Sequence, residues 1–268
     1  MKQEIIPTLK TSDGFRRGHS ASELLSNSTR ALRVTLKSYS VAFDHAPKSR
    51  RARTEQAFKL VRFKTRHRLT HTDRSGHSLH MNDLLLPYWK FQINDRRNKE
   101  TINLWPDRKQ LIIPVNRLEH PYGLLSVFHE LGHLHTMDLV ESRYWQMYDR
   151  ANYYYHRNRF PGYKQRQQHQ ISPNEVLSGS YYPSDEAVRR MPAAYRTMLI
   201  DVFRVRRADE QFAWAWAVLT LSRMYQTGFQ PEPRMTAGLV RGRIKRKLGT
   251  YEKTVVECTS RRLTRVWK

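Results

Sequence analysis

The 268-residue chain holds a single cysteine, Cys258. Intrachain disulfides and cysteine-built zinc clusters are thereby excluded, so any metal site must draw on His, Asp or Glu. No run of 18 apolar residues occurs, and with it goes any candidate membrane span. The opening stretch, MKQEIIPTLKTSDGF, lacks the apolar segment of a signal peptide, which points to a cytosolic, reducing compartment. Acids are scarce: 24 Asp and Glu stand against 48 Lys and Arg, for a formal net charge of +24. Apolar content, 39%, is low for a globular protein, and six Trp, fourteen Tyr and ten Phe offset part of the deficit. There is no internal repeat, no long low-complexity run and no recognised base-reading motif. What remains is a folded chain of one or two domains with basic, polar outer segments. The charge suits a polyanion, with nucleic acid the first candidate partner and an anionic membrane surface the second.

The basic residues are clustered. Residues 48–68, KSRRARTEQAFKLVRFKTRHR, hold nine Lys and Arg and one acid, Glu55. Ala57, Leu60, Val61 and Lys64 fall on one helical stripe, which predicts a basic amphipathic helix. Its cations, Arg50, Arg51, Arg53, Lys59, Arg62, Lys64, Arg66 and Arg68, are the candidate nucleic-acid contacts; a solvated surface helix is the alternative. Contacts of this kind would hold phosphates without reading sequence. The tail, 240–268, adds ten Lys and Arg against two acids.

Three regions follow from the patterning: a basic, partly helical segment over 1–100, a core over 101–230, and a basic tail over 231–268. Ser20-Ala21-Ser22-Glu23 has the form of a helix start, with Leu24, Leu25 and Leu32 after it. Residues 69–100 are polar, with a turn near Asp73-Arg74-Ser75-Gly76. Leu111-Ile112-Ile113-Pro114-Val115 is the best strand candidate, and Pro114 predicts an edge strand or a bulge. Pro121 then opens a helix predicted over 121–138. A long loop spans 140–191. Pro192 opens a second helical pattern over 192–226, free of Gly and Pro inside, with Gly228 as its stop. The fold class expected is α+β, mainly helical, with a small edge-stranded sheet.

The first of these helices carries His129-Glu130-Leu131-Gly132-His133. Residues four apart share one helix face, so both histidines can address one ion. Neutral imidazole nitrogens suit Zn²⁺ at roughly 2.0–2.1 Å. Glu130 lies about 100° around the helix from His129, beside a metal-bound water rather than on the metal. It can take that water's proton and later pass it to a leaving amine. Gly132 removes bulk next to the second ligand, while Leu124, Leu125 and Phe128 supply the core-facing side.

Catalytic zinc takes three protein ligands and keeps a fourth position open. The metzincin scheme requires Gly and His where Thr136 and Leu139 stand, and is excluded. The gluzincin scheme takes a glutamate from a later helix. Glu210 offers one, on a stripe with Ala213, Ala217 and Leu221, whose small residues would let two helices approach. A carboxylate in so apolar a stretch needs a partner if buried, and an ion is one. The alternative is an exposed acid pairing with Arg206 or Arg207. FHELGH followed by Glu210, Ala213, Trp216 and Ala217 resembles the ImmA/IrrE-type zinc peptidases of phages and mobile elements, over about 40 residues. The resemblance implies a zincin-like metallopeptidase with Zn²⁺ on His129, His133 and Glu210, and Glu130 as the base. A second resemblance, to SprT-like proteases that act on DNA-crosslinked proteins, rests on His156 and Phe160. It implies His156 as the third ligand, although Arg157 stands where that pattern has Gly. Asp201, Asp209, Glu141, His135 and His169 stay open as outside candidates, and Tyr153, Tyr154, Tyr155, Tyr181 and Tyr182 as oxyanion donors. The function expected is zinc-dependent peptide hydrolysis on or near nucleic acid; the alternative is a nucleic-acid-binding or structural protein keeping the scaffold alone.

Overall fold

The computed structural model describes residues 7–9, 20–46, 58–63, 66–73, 76–94, 102–105, 108–118, 120, 122–139, 193–229 and 234–256. Among these the chain is a mixture of α-helices and two small sheets. In order come α1 (Ala21–His45), β1 (Phe58–Phe63), β2 (Arg66–Thr72), β3 (Ser78–His80), β4 (Lys90–Asn94), β5 (Asn103–Trp105) and β6 (Gln110–Pro114). The short α2 (Val115–Leu118), then α3 (Gly123–Thr136), α4 (Ala193–Gln226) and α5 (Ala237–Val256) complete the series. No helix among the described residues is long and apolar enough to cross a membrane. The chain divides into two compact units. One comprises Met1–Ser12, Ser28–Met137 and Glu210–Ile244; the other comprises Asp13–Asn27, Asp138–Asp209 and Lys245–Lys268.

In the second unit, α1 starts as its sequence dictates. The Ser20 hydroxyl accepts from the Glu23 amide at 3.2 Å, and the Glu23 carboxylate accepts from the Ser20 amide at 2.6 Å. This reciprocal box satisfies donors that the first turn leaves without intrahelical partners. On α4, Arg204 pairs with Asp201 at 3.1 Å and Arg206 with Asp209 at 3.3 Å, one turn apart in each case.

The first unit holds both sheets. β1, β2 and β3 form an antiparallel meander, with Leu60 opposite Leu69 and His71 opposite Leu79. Asp73 closes the β2–β3 turn, its carboxylate accepting from the His77 amide at 2.8 Å, and Gly76 adopts the left-handed conformation the turn requires (φ 85°). Over the described residues 58–63 and 66–68, this meander stands where the basic amphipathic helix was expected. Leu60 and Val61 fit the helical stripe, but Phe58, Leu60, Val61 and Phe63 are also strand-favouring residues, and pairing with β2 decides between the two. Lys59, Arg62, Arg66 and Arg68 therefore sit on strands; Arg50, Arg51, Arg53 and Lys64 lie outside the described residues.

The second sheet also corrects an expectation. Its order is β4-β6-β5, with β4 parallel and β5 antiparallel to β6. β6 is thus central, and the edges are β4 and β5. Pro114 is tolerated because it is the last residue of β6 and lies beyond Ile112, where the β5 ladder ends. Phe91 faces Leu111 and Ile93 faces Ile113 in register, and all four are buried. β6 feeds directly into α2, which precedes α3.

Helices α3 and α4 form the interior. Leu124, Leu125, Val127, Phe128, Leu131 and Leu134 of α3 are at most 2% exposed. From Glu210 to Val218, α4 is buried at every position. It ends at Gly228, whose left-handed backbone (φ 82°) stops the helix. α1 is fastened to this interior at two points. Gln211 accepts hydrogen bonds from Ser28 (2.7 Å) and Thr29 (3.1 Å), and the Tyr39 hydroxyl donates to the Met235 carbonyl. Burial at that hydroxyl raises its pKa far above the usual tyrosine value.

Candidate metal centre

The site is made where α3 and α4 touch backbone to backbone. A Cβ built on Gly132 would lie 2.9 Å from both the carbonyl carbon and the Cα of Ala213, closer than real side chains come. Glycine at 132 and alanine at 213 therefore set the separation of the two helices. Glu210 is one turn before Ala213, and His129 and His133 flank Gly132. Close approach at that one point brings all three side chains to one place.

The donor atoms of His129, His133 and Glu210 lie within 4.8 Å of one another. The two Nε2 atoms are 3.3 Å apart. Glu210 places Oε2 at 3.2 Å from His129 Nε2 and Oε1 at 3.7 Å from His133 Nε2. Bonds of roughly 2.0–2.1 Å meeting at a tetrahedral angle separate their donors by about 3.3–3.4 Å. The two contacts of His129 are close to that spacing, and the His133–Glu210 contact, through the other carboxylate oxygen, is longer at 3.7 Å. The triad is also buried, with side-chain exposures of 10%, 12% and 7% for His129, His133 and Glu210. A carboxylate so placed must meet positive charge, and two converging imidazole nitrogens must share a proton or an ion. One cation between the three groups satisfies all of them at once, so the residues fit a metal. Glu130, the next residue after His129, is half-buried on α3.

Aromatic stacks hold two of the three histidines of α3 in place. The His129 ring lies on Trp214 with centroids 3.9 Å apart and planes 21° apart. Its Nδ1 is buried and has no hydrogen-bond partner among the described residues, so the stack and the Nε2 contacts with Glu210 and His133 orient this ring. His135 lies on Trp216, centroids 4.6 Å apart and planes 4° apart, and its Nε2–H donates to the Leu84 carbonyl at 2.7 Å. Burial lowers the pKa of His135, against the opposing effect of that hydrogen bond, and favours the neutral ring that such a contact needs. Trp216 in turn donates to the Pro7 carbonyl at 3.0 Å and meets Phe128 edge-on.

Of the residues singled out in the sequence, the structure brings together His129, His133 and Glu210, with Glu130 adjacent to the first. His135 is engaged elsewhere, and Asp201 and Asp209 pair with arginines in the other unit. His156, Glu141, His169 and the five candidate tyrosines lie outside the described residues. The stacking roles of Trp214 and Trp216 were not expected. Their signal was present: two indoles two residues apart, shortly after a glutamate in an otherwise apolar helix. Comparison of the chain with protein-family models, curated proteins and solved structures finds no match.

Proposed function

We propose that the chain is a zinc-dependent endopeptidase of the gluzincin type. The observation that carries this reading is the convergence of His129, His133 and Glu210, with Glu130 next to the first ligand. Two imidazoles and one carboxylate, with no thiolate available, suit zinc better than the hard cations that prefer all-oxygen cages. The chemistry such an ion supplies is Lewis acidity toward water and toward the scissile carbonyl. His129 and His133 are neutral donors, so Glu210 contributes the only ligand charge. Glu130 stays off the ligand set, takes the proton of the attacking water and returns it to the leaving amine. The resemblance of FHELGH and Glu210-to-Ala217 to the ImmA/IrrE-type peptidases agrees with this assignment. The net charge of +24 favours a protein substrate on or near nucleic acid.

Glu130→Gln tests the reading. The variant keeps the size and hydrogen bonding of the side chain and loses its basicity. It should fold and bind zinc as the wild type does, while cleavage of proteins in a cell extract, with or without added DNA or RNA, falls by a factor on the order of 10² or more. Identical cleavage patterns for both proteins in every mixture would leave a metal-bearing scaffold in place of a peptidase.

A further inference from the structure

The first unit carries a second polar feature, far more exposed than the triad. α1 turns its buried stripe, Leu32, Thr35, Tyr39 and Ala42, inward. Its opposite face exposes Arg30, Arg33 and Lys37, spaced three and four residues apart so that they follow one another along the helix. α5 exposes Arg241 beside them. Along α1, with Arg241 of α5 at its side, runs an open cleft of about 450 Å³, lined by Arg33, Lys37 and Arg241 with Leu36, Ser40, Val41 and Asp44. Three cations against one acid make it net positive. Among the described residues, none of the three cations takes part in an ion pair or hydrogen bond.

The walls of the cleft are braced. Arg234, just before α5, donates to the Phe43 and Ala46 carbonyls at the end of α1 and lies 4.6 Å over the Phe43 ring. The Tyr39–Met235 hydrogen bond ties the same segments one turn earlier. Phe43, Tyr39 and Tyr225 pack edge to face beneath it. The cations are therefore presented on a preformed groove, and Asp44 is the one carboxylate in its lining among the described residues.

We infer that this α1–α5 cleft binds the phosphate backbone of a nucleic-acid strand. Arg33, Lys37 and Arg241 take the phosphates, and Leu36 and Val41 offer an apolar floor for sugars. Concavity separates this ligand from a bilayer: Arg33 and Lys37 of α1 with Arg241 of α5 can flank a narrow chain, whereas a flat anionic surface meets only the rims. The lining holds no aromatic ring on which a base could stack and no amide side chain, its one uncharged polar group is the Ser40 hydroxyl, and with the cations on phosphates binding is independent of sequence. The cleft is separate from the contact expected on residues 48–68, of which the described part forms β1 and the start of β2. It stands independently of the peptidase reading, since neither the triad nor Glu130 contributes to it.

The test uses the full chain and a fluorescent 30-nucleotide DNA, single-stranded and duplex, with anisotropy followed from roughly 50 to 200 mM salt. Arg33→Gln/Lys37→Gln/Arg241→Gln should weaken binding to unrelated sequences alike, by on the order of 10-fold or more at the lower salt. It should also make the slope of log affinity against log salt shallower by about three, one for each phosphate no longer neutralised. Lys90→Gln/Arg108→Gln/Lys109→Gln removes equal charge from exposed positions on β4 and in the turn before β6 and should change affinity less than threefold, a margin of about 0.7 kcal/mol. Equal losses in the two triple variants would mean diffuse attraction and overturn the cleft. So would unchanged binding in the cleft variant, or a loss confined to phosphatidylserine vesicles. Glu130→Gln should bind DNA as the wild type does, so failure of this inference and failure of the peptidase reading are read separately.

Discussion

Within one compact unit, charge is handled in two opposite ways. Glu210 is buried against two imidazoles, at 7% side-chain exposure, and its neighbours along α4 are buried as well. Arg33, Lys37 and Arg241 are exposed around an open cleft and have no carboxylate partner among the described residues. Charge removed from water must be matched in place, because an unmatched buried carboxylate costs several kcal/mol. Its geometry is then fixed by how closely the helices pack. Exposed cations need no such match, since water solvates them until a ligand arrives. The buried cluster should therefore respond to small changes in packing, and the exposed one to salt and to charge removal.

Gly132→Val is the sharpest way to break the buried side. Any Cβ at 132 collides with the Ala213 backbone, and a branched one forces α3 and α4 apart. Stability should drop by about 3 kcal/mol, the upper part of the overpacking range, as measured by urea unfolding. Zinc content should fall with it. DNA affinity in the folded fraction should stay where it was, because the cleft depends on α1 and α5.

His71 sets a second, smaller expectation. It is fully buried on β2, and burial pushes its pKa down to about 4, with Asp73 acting in the opposite direction. The folded chain thus resists protonation at a site that the unfolded chain protonates near 6.5. The stability tied to the neutral ring is complete above pH 6.5 and is lost as pH falls toward 4. Between pH 7 and 4.5 the wild type should lose about 2 kcal/mol more than His71→Leu, measured by chemical unfolding at each pH. A parallel decline in both proteins would contradict the assignment.

Trp214→Leu probes the stack on His129. The indole is the ring's orienting neighbour, and its removal should let the imidazole turn about Cβ–Cγ. Zinc affinity should fall roughly 10-fold, at the lower end of what removing support around a ligand costs, in a competition titration with a chromogenic chelator. The salt slope of DNA binding should be unaffected. If affinity for zinc is also unaffected, the packing around His129 holds the ring without the indole.

The two regions also differed in how far the sequence revealed them. The motif helix and α4 carry strong local signals: a helix-opening proline before each, a stopping glycine after the second, and an apolar stretch with one glutamate in it. Those signals were enough to anticipate both helices to within a few residues and to bring Glu210 forward as a ligand candidate. The β1–β2 hairpin was not legible, because Leu60 and Val61 fall on a helical stripe with Ala57 and the apolar residues of 58–63 do not alternate, so only pairing with a neighbouring strand selects the strand. Pro114 suggested an edge strand, yet its place at the very end of β6 lets a central strand keep it. The cleft was missed for a different reason. Its cations are gathered from α1 and α5 by folding, whereas charge counted along the chain points to 48–68.

Metal content is the most direct test of the central claim, that Glu210 completes a zinc site with His129 and His133. The measurement is zinc per chain by mass spectrometry on purified wild type, Glu210→Ala and His156→Ala, each checked for folding by circular dichroism. The account predicts about one zinc per chain for the wild type and for His156→Ala, and a large loss for Glu210→Ala, as expected of a three-ligand site reduced to two. Full zinc retention in folded Glu210→Ala, with loss in His156→Ala, would contradict it and move the third ligand to His156.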